Sequence, residues 1–165
     1  MAGDRRRSLP PGGAWGVGDI AGRLRQHSVI GLDTCVFIYH FEAHPRYLPL
    51  TQALLEGVQE GRWRAIASVL TVMELTVRPW QLGQPAVARE YEALLAHMPN
   101  LAITDVTRDV ARQAAQFRAA FRLRPADALQ VANAKVHGAT AFVTNDRALE
   151  HLDPALQVVL LDDLL

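Results

Sequence analysis

Val29-Ile30-Gly31-Leu32-Asp33-Thr34-Cys35-Val36-Phe37 decides the fold. Four uncharged, mostly apolar residues run without a break and stop at an aspartate, and a helical pattern from Thr34 to Phe41 follows at once. An unbroken apolar run of this length reads as a strand buried on both faces. The pattern recurs outward from there. Arg64 to Ala67, Leu101 to Thr104 and Ala141 to Thr144 read as strands, with Gln157 to Leu161 as a last one. Between them lie helices: Pro49 to Glu60, stopped by Gly61; Val69 to Val77, capped by Ser68 and ending before Pro79; and Pro85 to Met98, stopped by Pro99. Two more follow, Thr107 to Phe121 and one that opens at Pro125 and closes near Gly138, while Asp19 is placed to cap a short helix, Ile20 to Gln26. Strands alternating with helices make βαβ units, hence an α/β protein with a mostly parallel sheet covered on both faces.

Composition sets the outer limits. Of 165 residues, 50% are hydrophobic and 21% charged, and 17 basic residues balance 17 acidic ones. That supports one domain with a core, and argues against a disordered chain or a uniformly basic nucleic-acid coat protein. Lys135 is the only lysine, so phosphate contacts fall to arginine or to backbone amides. Residues 1–16 are rich in Gly, Pro and Arg, lack periodicity, and read as a flexible leader. Arg5, Arg6 and Arg7 have no apolar stretch behind them, so this is not a secretory signal. No run approaches the roughly 20 apolar residues of a membrane span. With Cys35 as the single cysteine, no intrachain disulfide can form, and a cytoplasmic location is expected.

In open α/β sheets, ligands bind beyond the carboxyl ends of the strands. Four acids fall there. Asp33 follows the first strand, Glu74 lies in the helix after the second, Asp127 lies in the first turn of the helix from Pro125, and Asp146 follows the strand ending at Thr144. Each has a structural alternative. Asp33 and Asp146 are placed to cap the helices after them, and Asp127 suits the dipole of a first helical turn. Glu74 is harder to explain that way, being the only charged residue between Ala65 and Val77. A carboxylate in an apolar segment must be paired, protonated, bound to a cation or turned out to solvent. Converging carboxylates make an oxygen-lined site for Mg²⁺ or Mn²⁺. Such ions both activate water and neutralise charge in phosphodiester cleavage.

The runs that carry these acids resemble the four acidic motifs of PIN-domain nucleases. Gly31-Leu32-Asp33-Thr34-Cys35-Val36-Phe37-Ile38-Tyr39 and Ser68-Val69-Leu70-Thr71-Val72-Met73-Glu74-Leu75 resemble the first two. Leu123-Arg124-Pro125-Ala126-Asp127-Ala128-Leu129-Gln130-Val131-Ala132-Asn133-Ala134 and Phe142-Val143-Thr144-Asn145-Asp146 resemble the third and fourth, in the same order and with fitting spacings. The resemblance implies a three-layer α/β/α domain with a mostly parallel sheet of four or five strands, so that residues 17–165 form a single PIN-like nuclease domain. It also implies an Mg²⁺- or Mn²⁺-dependent endoribonuclease that leaves a 5′-phosphate and a 3′-hydroxyl. Most bacterial single-domain proteins that this chain resembles in size and motifs are toxins of VapBC-type toxin–antitoxin pairs, so the resemblance also implies a homodimer silenced by a cognate VapB-like antitoxin. By the same resemblance Asp33, Glu74 and Asp127 are the core metal ligands, Asp146 serves a second metal or binds through water, and Thr144 orients a carboxylate or water.

Around these residues the sequence offers secondary candidates. Arg124, three residues before Asp127, is placed to meet a substrate phosphate or an antitoxin carboxylate. Asn145 serves either the site or its turn. Cys35 has no cationic neighbourhood to make it a thiolate and reads as a core residue. His40 and His44 have the spacing of a helical zinc pair, but the helix ends between them. Trp63 and Trp80 read as packing residues, and Trp15 as a possible anchor for the leader. Phe37, Ile38, Tyr39 and Phe41 either bury internally or form a groove for a partner.

Other functional readings remain. One is a catalytically silent PIN-like module that binds RNA or protein; another is a PIN ribonuclease of RNA processing without an antitoxin. A haloacid-dehalogenase-like phosphatase needs an aspartate where Cys35 stands, and a phospho-receiver needs a lysine after its last core strands, so both fail on residue type.

Overall fold

β1 (Val29–Leu32) is the middle strand of five. β2 (Arg64–Ser68), β3 (Leu101–Thr104), β4 (Ala141–Thr144) and β5 (Gln157–Leu160) complete a sheet of order β3-β2-β1-β4-β5 in the computed structural model, which describes residues 19–165. Every pairing is parallel. The sheet grows from β1 toward β3 on one side and restarts at β4 on the other. The switch point of the topology therefore lies between β1 and β4, where Leu32 pairs with Val143.

Two layers of helix cover the sheet, which makes the three-layer α/β/α arrangement. Ile30 and Leu32 of β1, with Val143 and Val159, belong to a core shared with α1 (Ile20–Leu24), α2 (Thr34–Phe41), α3 (Leu48–Gln59), α4 (Leu70–Gln81) and α5 (Pro85–His97). On the opposite face, Phe142 packs with Val110 and Phe117 of α6 (Arg108–Phe121) and with Val131 of α7 (Pro125–Val136). Alternate strand residues thus serve different layers, as the period of two requires. At Gly31, α7 comes close to the sheet: a Cβ there would stand 2.5 Å from the Ala134 Cβ and 2.7 Å from the Phe142 ring. Its lack of a side chain lets α7 lie against the middle of the sheet.

The strand and helix readings hold, with boundary shifts of one or two residues except in α4. That helix runs to Gln81 with Pro79 inside it, beyond the expected stop at Val77. A proline in the last turn removes one amide, and the chain tolerates it there because the helix ends soon after. Ser68 still serves the helix start, its hydroxyl accepting from the Leu70 amide at 3.2 Å. Trp63 packs as expected and donates its indole N–H to the Leu24 carbonyl. Trp80 does not: it is 56% exposed, on the same face of α4 as the exposed Val69, Met73 and Val77. The expected leader, residues 1–16, with Trp15, lies outside the described residues. No described helix is long and apolar enough to cross a membrane.

Candidate active site

The carboxyl ends of β1 and β4 stand side by side, and the chain leaves both through short polar segments. The Asp33 amide still pairs with Val143, at 2.9 Å, while its carboxylate caps α2 by accepting from the Thr34 amide at 2.8 Å. The capping alternative is thus correct for Asp33, yet it uses only Oδ1. Oδ2 accepts from the hydroxyl of the buried Thr144, at 2.6 Å. Thr144 in turn accepts from the Asp146 amide at 3.1 Å, so one hydroxyl ties the ends of both central strands together. Asp146 caps the 3-10 turn Arg147–Leu149 through the Ala148 amide at 2.9 Å.

Glu74 faces this edge from α4. It is half-buried, and its Oε1 accepts from the Thr34 hydroxyl at 3.1 Å and from the Gln130 amide nitrogen at 2.7 Å. Those partners answer how the apolar segment tolerates a carboxylate. Asp127, in the first turn of α7, pairs through Oδ2 with the Arg124 Nε at 2.9 Å. Arg124 therefore meets a carboxylate of its own chain at the same helix start. That contact and the charge of Asp127 raise the guanidinium's proton affinity, with smaller contributions from Asp146 and Glu74.

The electrostatics also bring the acids into one neighbourhood. Burial, first of all, pushes the Asp33 carboxyl up to about 6; the charges of Glu74 and Asp127 push the same way, against the opposing hydrogen bonds from Thr144 and Thr34. Asp33, Cys35, Tyr39, Arg124, Thr144, Asn145 and Asp146 line an open cleft of about 320 Å³. A larger cavity of about 580 Å³, lined by His40, Phe41, Leu94 and Met98 among others, lies among the helices away from these acids. The smaller cleft is the candidate because it holds the chemistry. Cys35 lines it while its side chain also packs against the core, and burial followed by the charge of Asp33 pushes its thiol up, so it stays protonated. Asn145 serves the turn: its Oδ1 accepts from the Asp162 amide at 2.9 Å. Tyr39 stacks on Tyr47 with centroids 4.3 Å apart.

The donors are hard oxygen atoms carrying mutual negative charge, a chemistry that suits Mg²⁺ or Mn²⁺. Among the described residues, however, no group of three or more His, Cys, Asp or Glu side chains is arranged to hold a metal ion. The acids form a cluster of charge in which Arg124 supplies the nearest cation. Sequence reasoning did not single out Thr71 or Gln130. Their signal was positional: Thr71 lies three residues before Glu74 and Gln130 three after Asp127, one helical turn from each acid.

A parallel α/β/α sheet with acids clustered at its switch point defines the class. The family model of the PIN domain matches residues 30–154, and the chain belongs to that family. The family's members are nuclease-type hydrolases that generally use divalent metal ions. Among solved structures the fold is similar to VapBC2 from Rickettsia felis bound to a DNA fragment from its promoter, at 17% identity and a TM-score of 0.64, covering 79% of this chain and 97% of that one. It is also similar to DNA-bound VapBC from Salmonella typhimurium, at 21% identity and a TM-score of 0.61, covering 81% and 98%. FitAcB from Neisseria gonorrhoeae is similar at 24% identity and a TM-score of 0.59, covering 78% and 95%. No curated protein matches in sequence.

Proposed function

We propose that this chain is a divalent-metal-dependent endoribonuclease and the toxin of a type II toxin–antitoxin pair. The observation that supports the reading is a cleft at the switch point lined by Asp33, Asp146 and Arg124, with Arg124 paired to Asp127 and the charge of Glu74 acting on Asp33. Asp33, Glu74 and Asp127 would hold an Mg²⁺ or Mn²⁺ ion, with Asp146 serving a second ion or an ion-bound water. When bound, the ion lowers the pKa of water and offsets the charge that develops on the phosphodiester.

The chain's own residues set the rest. Thr144 and the Thr34 amide hold both oxygens of Asp33, fixing the plane of its carboxylate. Arg124, exposed and next to Asp127, is free to swing to a substrate phosphate once a cation takes over its carboxylate partner. Asn145 anchors the turn after β4 to the segment beginning at Asp162, which keeps Asp146 at the cleft. RNA in a single-stranded context fits an open cleft better than a duplex does.

The toxin assignment takes support from the VapBC complexes among the similar structures. A VapB-like antitoxin and a homodimer are the expected partners. The exposed apolar face of α4, Val69, Met73, Val77 and Trp80, borders Glu74 and is the kind of surface such a partner covers. The site of action is the cytoplasm.

Mapping new RNA 5′ ends in cells that express the wild type, and separately Asp33→Asn, tests this reading. Ends at a few positions, in the wild type alone, are expected. Cleavage by Asp33→Asn at the wild-type rate would overturn the site. No cleavage of any RNA by purified wild-type protein with Mn²⁺ would favour a silent RNA- or protein-binding module.

A further inference from the structure

Gln130 lies on the second turn of α7 and is 3% exposed. Its amide nitrogen donates toward three acceptors: Glu74 Oε1 at 2.7 Å, the Thr34 hydroxyl at 3.0 Å and the Thr71 hydroxyl at 3.4 Å. Its own Oε1 is buried and has no partner among the described residues. The amide does not turn round to relieve this, because that would set its oxygen against the carboxylate of Glu74. An apolar side chain of the same length would fill the space with no orphaned acceptor. The arrangement thus gives up satisfaction on one side of the amide to hold a carboxylate on the other.

The consequence falls on Glu74. Thr34 and Gln130 both bind its Oε1, and both are neutral donors. They fix the carboxylate without cancelling its charge, as a lysine or arginine in their place would. Oε2 is the oxygen left for a cation. We infer that Gln130 is a positioning residue for Glu74: from α7 it orients this carboxylate on α4 and so sets the affinity of the cleft for a divalent cation. The inference rests on reading the cleft as a cation site. It makes α7 a double contributor, with Asp127 at its first turn and Gln130 one turn deeper.

The test is calorimetric titration of Mn²⁺ into the purified full-length chain as wild type, Glu74→Ala, Gln130→Met and the double variant, with thermal unfolding of each in chelator. Gln130→Met should weaken Mn²⁺ about tenfold, the lower end of what loss of a ligand's hydrogen-bond partner does. Its melting temperature in chelator reports the cost to the fold separately, because the lost donor to Glu74 and the removed orphaned acceptor act in opposite directions. The double variant should bind no more weakly than Glu74→Ala, since Gln130 acts only through that residue. Wild-type affinity in Gln130→Met, alongside weakened Glu74→Ala, would overturn the inference, as would a further loss in the double variant. Wild-type affinity in Glu74→Ala would instead overturn the reading of the cleft. Should Gln130→Met not fold, Gln130→Leu carries the same expectations.

Discussion

Thr144 donates its hydroxyl hydrogen to Asp33 Oδ2 at 2.6 Å, across the junction of the two central strands and 111 residues of chain. Thr144 is fully buried and its oxygen also receives the Asp146 amide, so its rotamer is fixed from both sides. Thr144→Val keeps the shape and removes the bond. A hydrogen bond to a charged group is worth about 1.5–3 kcal/mol. Cleavage should fall by about 10–100-fold through misorientation of Asp33. Rates measured beside thermal unfolding check this, and wild-type cleavage in a folded Thr144→Val protein would rule the positioning role out.

Asp33→Asn should abolish cleavage and yet raise stability in chelator at neutral pH. The sign follows from the carboxyl lying near 6 when folded against an ordinary 3.8. Between those values the folded state binds the extra proton, so stability falls as pH rises from 4 to 6 and stays lower above. The ionised carboxylate costs the metal-free fold about 3 kcal/mol by this shift. Melting curves in EDTA should therefore drop between pH 4 and 7 for the wild type by more than for Asp33→Asn. Added Mn²⁺ should restore the wild type alone.

Arg124→Ala should separate the two partners of this guanidinium. It is well exposed, so loss of its ion pair with Asp127 should leave stability nearly unchanged. Mn²⁺ should bind more tightly, because Asp127 loses a competing cation. KM for RNA should rise about tenfold, as for one lost charge-assisted contact. Titration calorimetry and initial rates report the two effects separately, and an unchanged KM would remove Arg124 from the substrate contacts.

Gly31→Ala should act on the site from the far side of the sheet. The new methyl group would meet Ala134 and Phe142 at distances no real Cβ keeps. Overpacking of this kind costs about 1–3 kcal/mol. Relief means moving α7 outward, which carries Asp127 and Gln130 with it. Denaturant unfolding should show the loss of stability, and Mn²⁺ affinity should fall in the same variant.

The strands and the α/β/α class were legible because buried parallel strands are short apolar runs, and all but β5 here end at or directly before a polar residue. The extent of α4 was not legible. A proline reads as a stop, yet one that falls in the last turn of a helix removes a single bond close to where the helix ends anyway. The acids at the strand ends could be found from their placement. What surrounds them could not: Gln130 and Thr71 are ordinary polar residues in sequence, and become a seat for Glu74 only when folding brings α4 and α7, from opposite layers, within hydrogen-bonding reach. Trp80 was misjudged for a similar reason, since a large aromatic residue reads as core until the helix face that carries it is seen to have no neighbour.

Placing β4 beside β1 has a consequence for how the protein is made. A ribosome that has delivered only the first 140 residues has already produced Asp33, Glu74, Asp127 and Gln130, but neither Thr144 nor Asp146 nor the strand that carries them. The centre of the sheet then has an open edge, and the Asp33 carboxylate lacks the hydroxyl that fixes it. Contacts this distant in sequence form late and slowly. A nascent or prematurely terminated chain consequently lacks a complete site, and the last 25 residues of the polypeptide finish what the earlier ones leave open.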